Sequence, residues 1–230
     1  MADKKITEKK IHSEVLTIMF IDLVGYTKTT TKLKREDISG LHDVFDTICA
    51  GVFDKYEGDV IKKMGDAFLV TFKSPTNALL AGVELQNDFK RYNQQYKLKN
   101  PLQIRVALHS GEVVIRDNDI YGDAVNTTSR IEGIVKAGDV VFSEAVYNNM
   151  NKNEIPFIFL GEKMFRGIRR PLKIFKVKRM YDEIIRKRKL LVSKVKRKVR
   201  NFVFIVVLFA AIAAIAYGVY WYLSRNSSLF

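Results

Sequence analysis

Two hydrophobic periodicities alternate along most of the chain. Short runs of β-branched and apolar residues, typical of strands, are separated by longer segments in which apolar residues recur every three or four positions, as on one face of a helix. The first run, Glu14 to Leu23, is followed by Gly25, and this predicts a buried strand that ends near Asp22. A helix is predicted over residues 36–55. Its apolar positions are Leu41, Val44, Phe45, Ile48, Val52 and Phe53.

A hairpin is predicted after that helix. Asp59 to Met64 and Ala67 to Phe72 are two strand-like runs, and the Gly65-Asp66 pair between them suits a two-residue turn. We therefore expect Asp66 to lie on a turn, where its side chain can project from a rigid frame.

The rest of the pattern indicates the fold class. The next helix begins near Pro75, where the missing N–H of proline does no harm, and Ser110-Gly111 is predicted to be the turn of a second hairpin. Strands interleaved with helices and hairpins indicate an α+β domain, with a central, mostly antiparallel sheet and helices packed on it. These further elements are a helix over Pro75–Asn93, strands over Leu102–His109 and Glu112–Ile115, a helix over Tyr121–Ile134, and strands over Val140–Phe142, Phe157–Phe165 and Leu172–Val177.

The net charge of +14 is concentrated near one end of the chain. Residues 1–182 carry 29 basic and 24 acidic side chains, whereas the stretch from Arg186 to Arg200 carries nine basic side chains and no acidic one. This stretch runs directly into an apolar segment, and that placement favours a surface of anionic lipid over nucleic acid as the partner.

The apolar segment from Phe202 to Leu223 contains 22 residues without a charge, enough for a helix to cross a bilayer. A buried helix of a soluble core is the alternative, but aromatic residues around Trp221 and the basic stretch before the segment are typical of interfacial anchors. The positive charge predicts a cytoplasmic N-terminal body at the cell (inner or plasma) membrane. Residues 1–20 contain no signal-peptide pattern, and the single cysteine, Cys49, agrees with a reducing compartment.

The predicted organisation therefore has five parts. The linker helix has a rough 3.5 to 3.6 residue spacing of apolar positions, which would allow it to pair with a second copy. The parts are an N-terminal tail (1–12), a folded domain (13–180), a basic linker helix (181–201), a transmembrane helix (202–223) and a short external tail (224–230).

Two acidic residues have positions that suit metal binding. Asp22 lies at the predicted end of a strand and Asp66 on a predicted turn, so both carboxylates could project towards one point. Mg²⁺ prefers one or two carboxylates together with phosphate oxygens, and two such ions can promote a displacement at phosphorus. An aspartate in either position is more often only a local cap, so this signal alone is weak.

Three segments of the sequence resemble the motifs of class III adenylyl and guanylyl cyclases. Phe20 to Thr27 (FIDLVGYT) and Lys62 to Phe68 (KKMGDAF) are similar to the two metal-binding motifs of that family, and Asp119 to Arg130 (DIYGDAVNTTSR) is similar to its substrate segment. The segment from Leu160-Gly161-Glu162 to Val177 is also similar to the end of that domain. The resemblance covers residues 13–180 and implies the ferredoxin-like fold of the cyclases.

The resemblance implies a role for each matching residue. Lys62 and Asp119 would read the purine, Asn126 would contact the ribose, and Arg130 would stabilise the charge of the reacting phosphate. The two Mg²⁺ or Mn²⁺ ions would lie on Asp22, Ile21 and Asp66, and the triphosphate on Gly25, Tyr26, Thr27 and Arg166.

Elementary chemistry agrees with these roles. Adenine presents an acceptor beside a donor, which a lysine and an aspartate complement, whereas the O6 acceptor of guanine would face the Asp119 carboxylate unfavourably. Asn126 and Arg130 are four residues apart, so on a helix their side chains rise from one face.

The three histidines, by contrast, show no spacing typical of a zinc site: they are His12, His42 and His109. Lys63 is expected to be a solvated charge on the other face of its strand from Lys62.

The function that follows from the resemblance is an adenylyl cyclase that converts ATP to cyclic AMP and pyrophosphate. The family implies that each site lies between two domains, and because this chain carries both sets of residues once, it should form a homodimer with two equivalent sites. Two alternatives remain open: a guanylyl cyclase, and an idle, membrane-tethered module that keeps the fold for nucleotide binding or dimerisation.

Overall fold

The fold is described from a computed structural model of the chain, and the structure describes residues 11–25, 35–98 and 100–178. The predicted linker helix (181–201) and the predicted transmembrane helix (202–223) lie outside these residues. Within the three described ranges, no helix is long and apolar enough to cross a membrane.

Strands and helices alternate along the described residues, as the periodicity predicts. The first strand and the first hairpin lie within two residues of their predicted bounds. The strands are β1 (His12–Leu23), β2 (Gly58–Met64), β3 (Ala67–Phe72), β4 (Ile104–Arg116), β5 (Asp119–Tyr121), β6 (Val140–Ser143), β7 (Phe157–Lys163) and β8 (Leu172–Val177), and the helices are α1 (Arg35–Lys55), α2 (Pro75–Tyr96), α3 (Asp123–Glu132) and α4 (Glu144–Asn149).

The strands form one mixed sheet. Their order is β2-β3-β1-β4-β6-β8-β7, and β5 folds back on β4. All neighbouring strands are antiparallel except β4 and β6, which run parallel. The sheet is therefore mostly antiparallel, and the predicted α+β class is confirmed.

The two faces of the sheet pack against different helices. Because side chains alternate along a strand, Met19 and Ile21 of β1 point into a large core with α1, α2 and α4, whereas Ile18 points to the other face. There α3 packs through Ala124 and Ile131, at two smaller apolar clusters. Side chains on the α3 face of the sheet therefore share one surface with the residues of this helix.

The predicted second hairpin is wrong. Ser110 and Gly111 do not turn, because both residues remain paired with β1, opposite Thr17 and Leu16 respectively, so that β4 continues to Arg116. The chain turns afterwards, where both residues between β4 and β5 have positive φ values. The glycine serves a different purpose: a Cβ at residue 111 would lie only 2.9 Å from the Cβ of Ala124, so Gly111 allows α3 to pack closely on β4.

The helix predicted over Tyr121–Ile134 is shorter than expected. Tyr121 belongs to β5, where it pairs with Val114, and α3 begins only after Gly122. The helix ends at Glu132, before Ile134. The short helix α4 lies within a segment for which the sequence pattern predicted no element.

Candidate active site

The two aspartates predicted to bind metal lie next to each other at one edge of the sheet. Asp22 is the last but one residue of β1 and pairs in the sheet with Ala67, the first residue of β3. Asp66 occupies the β2–β3 turn, as predicted, and its main-chain carbonyl accepts a hydrogen bond from the N–H of Leu23 at 3.1 Å. The Asp66 charge also contributes to raising the pKa of Asp22.

An arginine that sequence reasoning missed lies beside Asp22. Arg105 is directly opposite Asp22 on β4. Its Nε donates to Oδ2 of Asp22 at 2.8 Å, and its Nη2 lies 2.6 Å from the same oxygen in an ion pair. The same Nη2 lies 2.5 Å from Oε1 of Glu132, the last residue of α3. A signal for it existed in the sequence, because Arg105 is the only charged residue in the predicted strand Leu102–His109.

Burial opposes ionisation of both acids in this cluster, which we call the Arg105 cluster (Asp22, Arg105 and Glu132). It raises the pKa of Asp22, and the hydrogen bonds and charge of Arg105 offset part of that rise. Burial likewise raises the pKa of Glu132, again with Arg105 acting in the opposite direction. The guanidinium therefore provides the positive charge that two adjacent, partly desolvated carboxylates require.

The residues at this edge fit a pair of divalent cations. Asp22 and Asp66 supply hard carboxylate oxygens, and Mg²⁺ accepts one or two carboxylates when phosphate oxygens complete its coordination. Groups of three or more potential protein ligands for a metal do not occur among the residues that the structure describes. The side chain of Ile21 is fully buried in the core, so Ile21 can offer only its main-chain carbonyl.

The residues predicted to bind the purine are in contact. Nζ of Lys62, on β2, lies 2.8 and 2.6 Å from the two carboxylate oxygens of Asp119, at the start of β5. The main-chain N–H of Ile120 also donates to Oδ1 of Asp119 at 2.8 Å. The hydrogen bond from Lys62 is the main cause that lowers the pKa of Asp119.

Lys63 lies on the opposite face of β2, as predicted, but it is not merely a solvated charge. Its ammonium group forms an ion pair with Asp46 of α1 at 2.6 Å. The alternation of the strand therefore separates two neighbouring lysines: Lys62 contacts Asp119, whereas Lys63 helps to hold α1 on the sheet.

Asn126 and Arg130 both lie on α3, as the sequence predicts. Asn126 is exposed, whereas Arg130 is partly buried. The Arg130 guanidinium packs against Gly167 in the loop between β7 and β8, where a Cβ on the glycine would lie 3.2 Å from Nη2. No carboxylate lies within ion-pair distance of Arg130 among the side chains that the structure describes.

The structure describes two of the four residues predicted to bind the triphosphate. Gly25 lies in the turn that follows β1, with a φ value of 75°. Arg166 is exposed in the β7–β8 loop, one residue before the glycine that packs against Arg130. Tyr26 and Thr27 lie outside the described residues.

Comparisons with known proteins agree with this arrangement. Residues 8–181 match the family model of the adenylate and guanylate cyclase catalytic domain. A solved structure of the adenylyl cyclase CyaB from P. aeruginosa is 25% identical, with a TM-score of 0.69 over 74% of this chain and 96% of that one.

Curated relatives match over the same region. The chain is 30% identical over 164 residues to the serine/threonine-protein kinase pkn2 of Myxococcus xanthus, and 25% identical over 171 residues to the putative adenylate cyclase 3 of Rhizobium meliloti. The matches cover 71% and 74% of this chain, but only 20% and 29% of those proteins. The match to the family model, which covers most of the sequence, shows that this chain belongs to the family of adenylate and guanylate cyclase catalytic domains.

Proposed function

We propose that the protein is an adenylyl cyclase, which converts ATP to 3′,5′-cyclic AMP and pyrophosphate. The contact between Lys62 and Asp119 is the observation that carries this choice. Adenine carries a hydrogen-bond acceptor at N1 and a donor at N6, so the ammonium group can donate to N1 while the carboxylate accepts from N6. Guanine would instead bring its O6 acceptor against the carboxylate, a mismatch that costs about 1–3 kcal/mol when buried.

The acids at the edge of the sheet are proposed to hold two Mg²⁺ or Mn²⁺ ions, with the main-chain carbonyl of Ile21 as a further ligand. Bound ions would supply Lewis acidity to the ribose 3′-oxygen and to the leaving pyrophosphate. Asp22 and Asp66 would position this chemistry, because the first lies near the end of β1 and the second on the tight β2–β3 turn, rather than on a long loop. Arg105 would help to hold the Asp22 carboxylate in place at this edge, because its Nε donates to Oδ2 of Asp22.

The reaction is an intramolecular displacement. The ribose 3′-oxygen forms a bond to the α-phosphorus, the bond from that phosphorus to the bridging oxygen of pyrophosphate breaks, and the hydroxyl proton leaves to solvent. Asn126 of α3 is proposed to orient the ribose, and Arg130, one turn later on the same helix, to stabilise the charge that develops on the α-phosphate. Gly25, Tyr26, Thr27 and Arg166 are proposed to contact the triphosphate.

We propose that each site forms between two copies of the chain. Exposed apolar side chains flank the residues that read the purine, including Met64 on β2 and Tyr121 on β5, which are 40% and 51% exposed. Apolar surface of this kind beside a polar site is typical of a protein interface. A homodimer would cover it and would bring Asp22 and Asp66 of one copy to the purine-reading residues of the other.

An assay of the purified full chain in detergent tests the proposed function. Cyclic nucleotide formation is measured with ATP or GTP at equal concentration, with Mg²⁺ or Mn²⁺, and with Asp66→Ala as the inactive control. We expect cyclic AMP to form at least about 5-fold faster than cyclic GMP, the lower limit of the mismatch above. Faster cyclic GMP formation would reassign the protein as a guanylyl cyclase, and no product with either nucleotide would favour an idle nucleotide-binding module.

We propose also that residues 202–223 anchor the protein in the cell membrane, with the domain on the cytoplasmic side. The uncharged run and the basic stretch before it support this proposal. Deleting residues 202–230 should release the domain into the supernatant, measured by immunoblot after fractionation. If the shortened chain stays with the membranes after a wash in high salt, the anchor lies elsewhere.

A further inference from the structure

Gly167 is packed against the side chain of Arg130 in an unusual way. A Cβ built on the glycine would lie 3.2 Å from Nη2, 3.6 Å from Nη1 and 3.7 Å from Cζ of the arginine. The two terminal nitrogens are nearer than Cζ, so the Nη end of the guanidinium borders the space that a side chain at residue 167 would fill.

The loop around Gly167 has a fixed shape. The N–H of Ile168 donates to the carbonyl of Phe165 at 3.1 Å, which closes a turn, and both of these side chains pack against the apolar cluster that includes Ile131 of α3. Gly167 has a φ value of 76°, in the left-handed region that favours glycine. The turn therefore rests on the same helix that carries Arg130, and it presents bare main chain to the guanidinium.

We propose that Gly167 is a positioning residue for Arg130. Because residue 167 has no side chain, the Arg130 guanidinium can lie against the main chain of the β7–β8 loop, and this contact keeps it in the position that the reaction requires. This inference rests on the proposed function, in which Arg130 stabilises the reacting phosphate. Arg130 is partly buried and has no described acidic partner, so the packing surface on the β7–β8 loop is the contact that restricts where its charge lies. A side chain at residue 167 would push the guanidinium away from that surface.

The expected consequence is a loss in the chemical step rather than in nucleotide binding. A methyl group at 3.2 Å forces the guanidinium to move by a few tenths of an ångström, and a misplacement of about 1 Å can cost about 100-fold in rate. We expect Gly167→Ala to lower kcat about 5- to 10-fold and to change KM for ATP less than 2-fold, because Arg130 acts on charge that develops in the transition state.

Backbone strain is the competing explanation, and the chain offers a control for it. Gly161, in β7 of the same hairpin, also has a positive φ value, 102°, but a Cβ there would meet no atom within 4 Å. Gly161→Ala therefore introduces strain without pushing Arg130. A further variant, Gly167→Asn, reduces the strain at residue 167, because its φ value of 76° lies near the left-handed region that asparagine tolerates better than alanine does.

The test compares the three variants by kcat, KM and thermal unfolding, using the full chain. If Gly167 acts through Arg130, Gly167→Ala and Gly167→Asn both lose kcat, whereas Gly161→Ala keeps it despite a loss of thermal stability similar to that of Gly167→Ala. In an Arg130→Ala background, Gly167→Ala should lower kcat no further. Equal kcat values for the Gly167 and Gly161 variants, or a full additive loss in the Arg130→Ala background, would overturn the proposal.

A crystal structure of Gly167→Ala separates this proposal from the proposed function. The Arg130 guanidinium should be displaced in that variant and unmoved in Gly161→Ala, and neither observation depends on turnover. An unmoved guanidinium in Gly167→Ala would overturn the positioning role even if the protein is an active adenylyl cyclase. Conversely, a wild-type chain without cyclase activity would refute the proposed function while the displacement could still be seen.

Discussion

Two arginines on the α3 side of the sheet are held in opposite ways. Arg105 on β4 contacts two carboxylates, those of Asp22 and Glu132, at 2.5 to 2.8 Å. Arg130 on α3 lies against the main chain of Gly167, with no carboxylate in range among the described side chains. Both guanidinium groups are partly buried, so the difference lies in their partners.

The difference indicates what each charge is available for. The charge of Arg105 is neutralised within the chain, and removing either side of such a pair leaves a partly desolvated charge behind, so the Arg105 cluster contributes to the stability of the fold. Among the side chains that the structure describes, none neutralises the charge of Arg130 in this way, which leaves that charge available to a phosphate group. Variants at the two positions should therefore fail differently.

The largest effects are expected when the carboxylates are removed. Asp22→Ala and Asp66→Ala should each lower turnover by at least about 100-fold, because each removes a proposed metal ligand. Only Asp22→Ala should also reduce the free energy of unfolding, by about 1–2 kcal/mol, since it deprives Arg105 of a partner. Cyclic AMP formation and urea unfolding measure the two effects.

Asp54→Ala is the matched control, because Asp54 is an exposed aspartate on α1, outside the site. It should match the wild type in both measurements. An active Asp66→Ala variant would contradict the proposed metal role. Equal unfolding free energies for Asp22→Ala and Asp66→Ala would show instead that the Arg105 cluster contributes little to stability.

Replacing each of the two arginines with alanine, in separate variants, tests the difference between them directly. Arg130→Ala should lower kcat about 100- to 1,000-fold, as expected for a group that stabilises transition-state charge, and change the free energy of unfolding by less than about 0.5 kcal/mol. Arg105→Ala should lower that free energy by about 2–3 kcal/mol, because Asp22 and Glu132 then face each other without a cation. The proposed difference between the two arginines is refuted if Arg130→Ala lowers the free energy of unfolding more than Arg105→Ala does.

The parts of the site that the sequence predicts are those set by local structure. The locations of Asp22 and Asp66 follow from a strand end and a two-residue turn, and the spacing of Asn126 and Arg130 follows from one helix, whereas their roles follow from the resemblance of the motifs to the cyclases. The Arg105 cluster joins β1, β4 and α3, residues 22, 105 and 132, and no local pattern reports a contact of that kind. For the same reason the turn predicted at Ser110-Gly111 is wrong: these residues pair with β1, and α3 packs closely on Gly111, and neither contact can be read from the local sequence.

A mixing experiment tests which chain supplies each side of the comparison. If Asp66 and Arg130 of one site come from different copies, Asp66→Ala and Arg130→Ala chains are each inactive alone but form heterodimers with one intact site. Random pairing makes about half of the dimers mixed, each with one good site of two, so activity should recover to about a quarter of the wild-type value.

Subunit exchange is verified in the same samples by differently tagged copies, and mixing two Asp66→Ala preparations serves as the control. That control should recover no activity, since both sites lack the same residue. Demonstrated exchange without recovery of cyclic AMP formation would place both residues in one chain.

The smallest effect on turnover is expected for a third basic side chain, His109, which lies on the same face of β4 as Arg105. It has a hydroxyl as its partner where Arg105 has carboxylates: Nδ1 of His109 lies 2.7 Å from Oγ of Ser143. Burial lowers the pKa of His109 from 6.5 to about 4. Unlike Arg105, this residue must therefore remain uncharged in the folded protein at neutral pH.

The sign of the pH dependence follows from that difference. Below pH 6.5 the unfolded chain binds a proton at His109, whereas the folded chain does so only near pH 4, so the free energy of unfolding falls as the pH is lowered between these values. The total fall in the free energy of unfolding is about 3 kcal/mol.

His109→Gln should remove this part of the acid sensitivity, measured by urea unfolding between pH 7 and pH 4.5. The control variant His12→Gln, at the exposed start of β1, should keep the acid sensitivity. Cyclic AMP formation at pH 7.5 should be unchanged in both variants, because neither side chain belongs to the proposed site. If the free energy of unfolding of the wild type and of His109→Gln changes with pH in parallel, the folded protein accommodates a charged imidazole at this position. His109 and Arg105 would then differ only in their hydrogen-bonding partners and not in their charge.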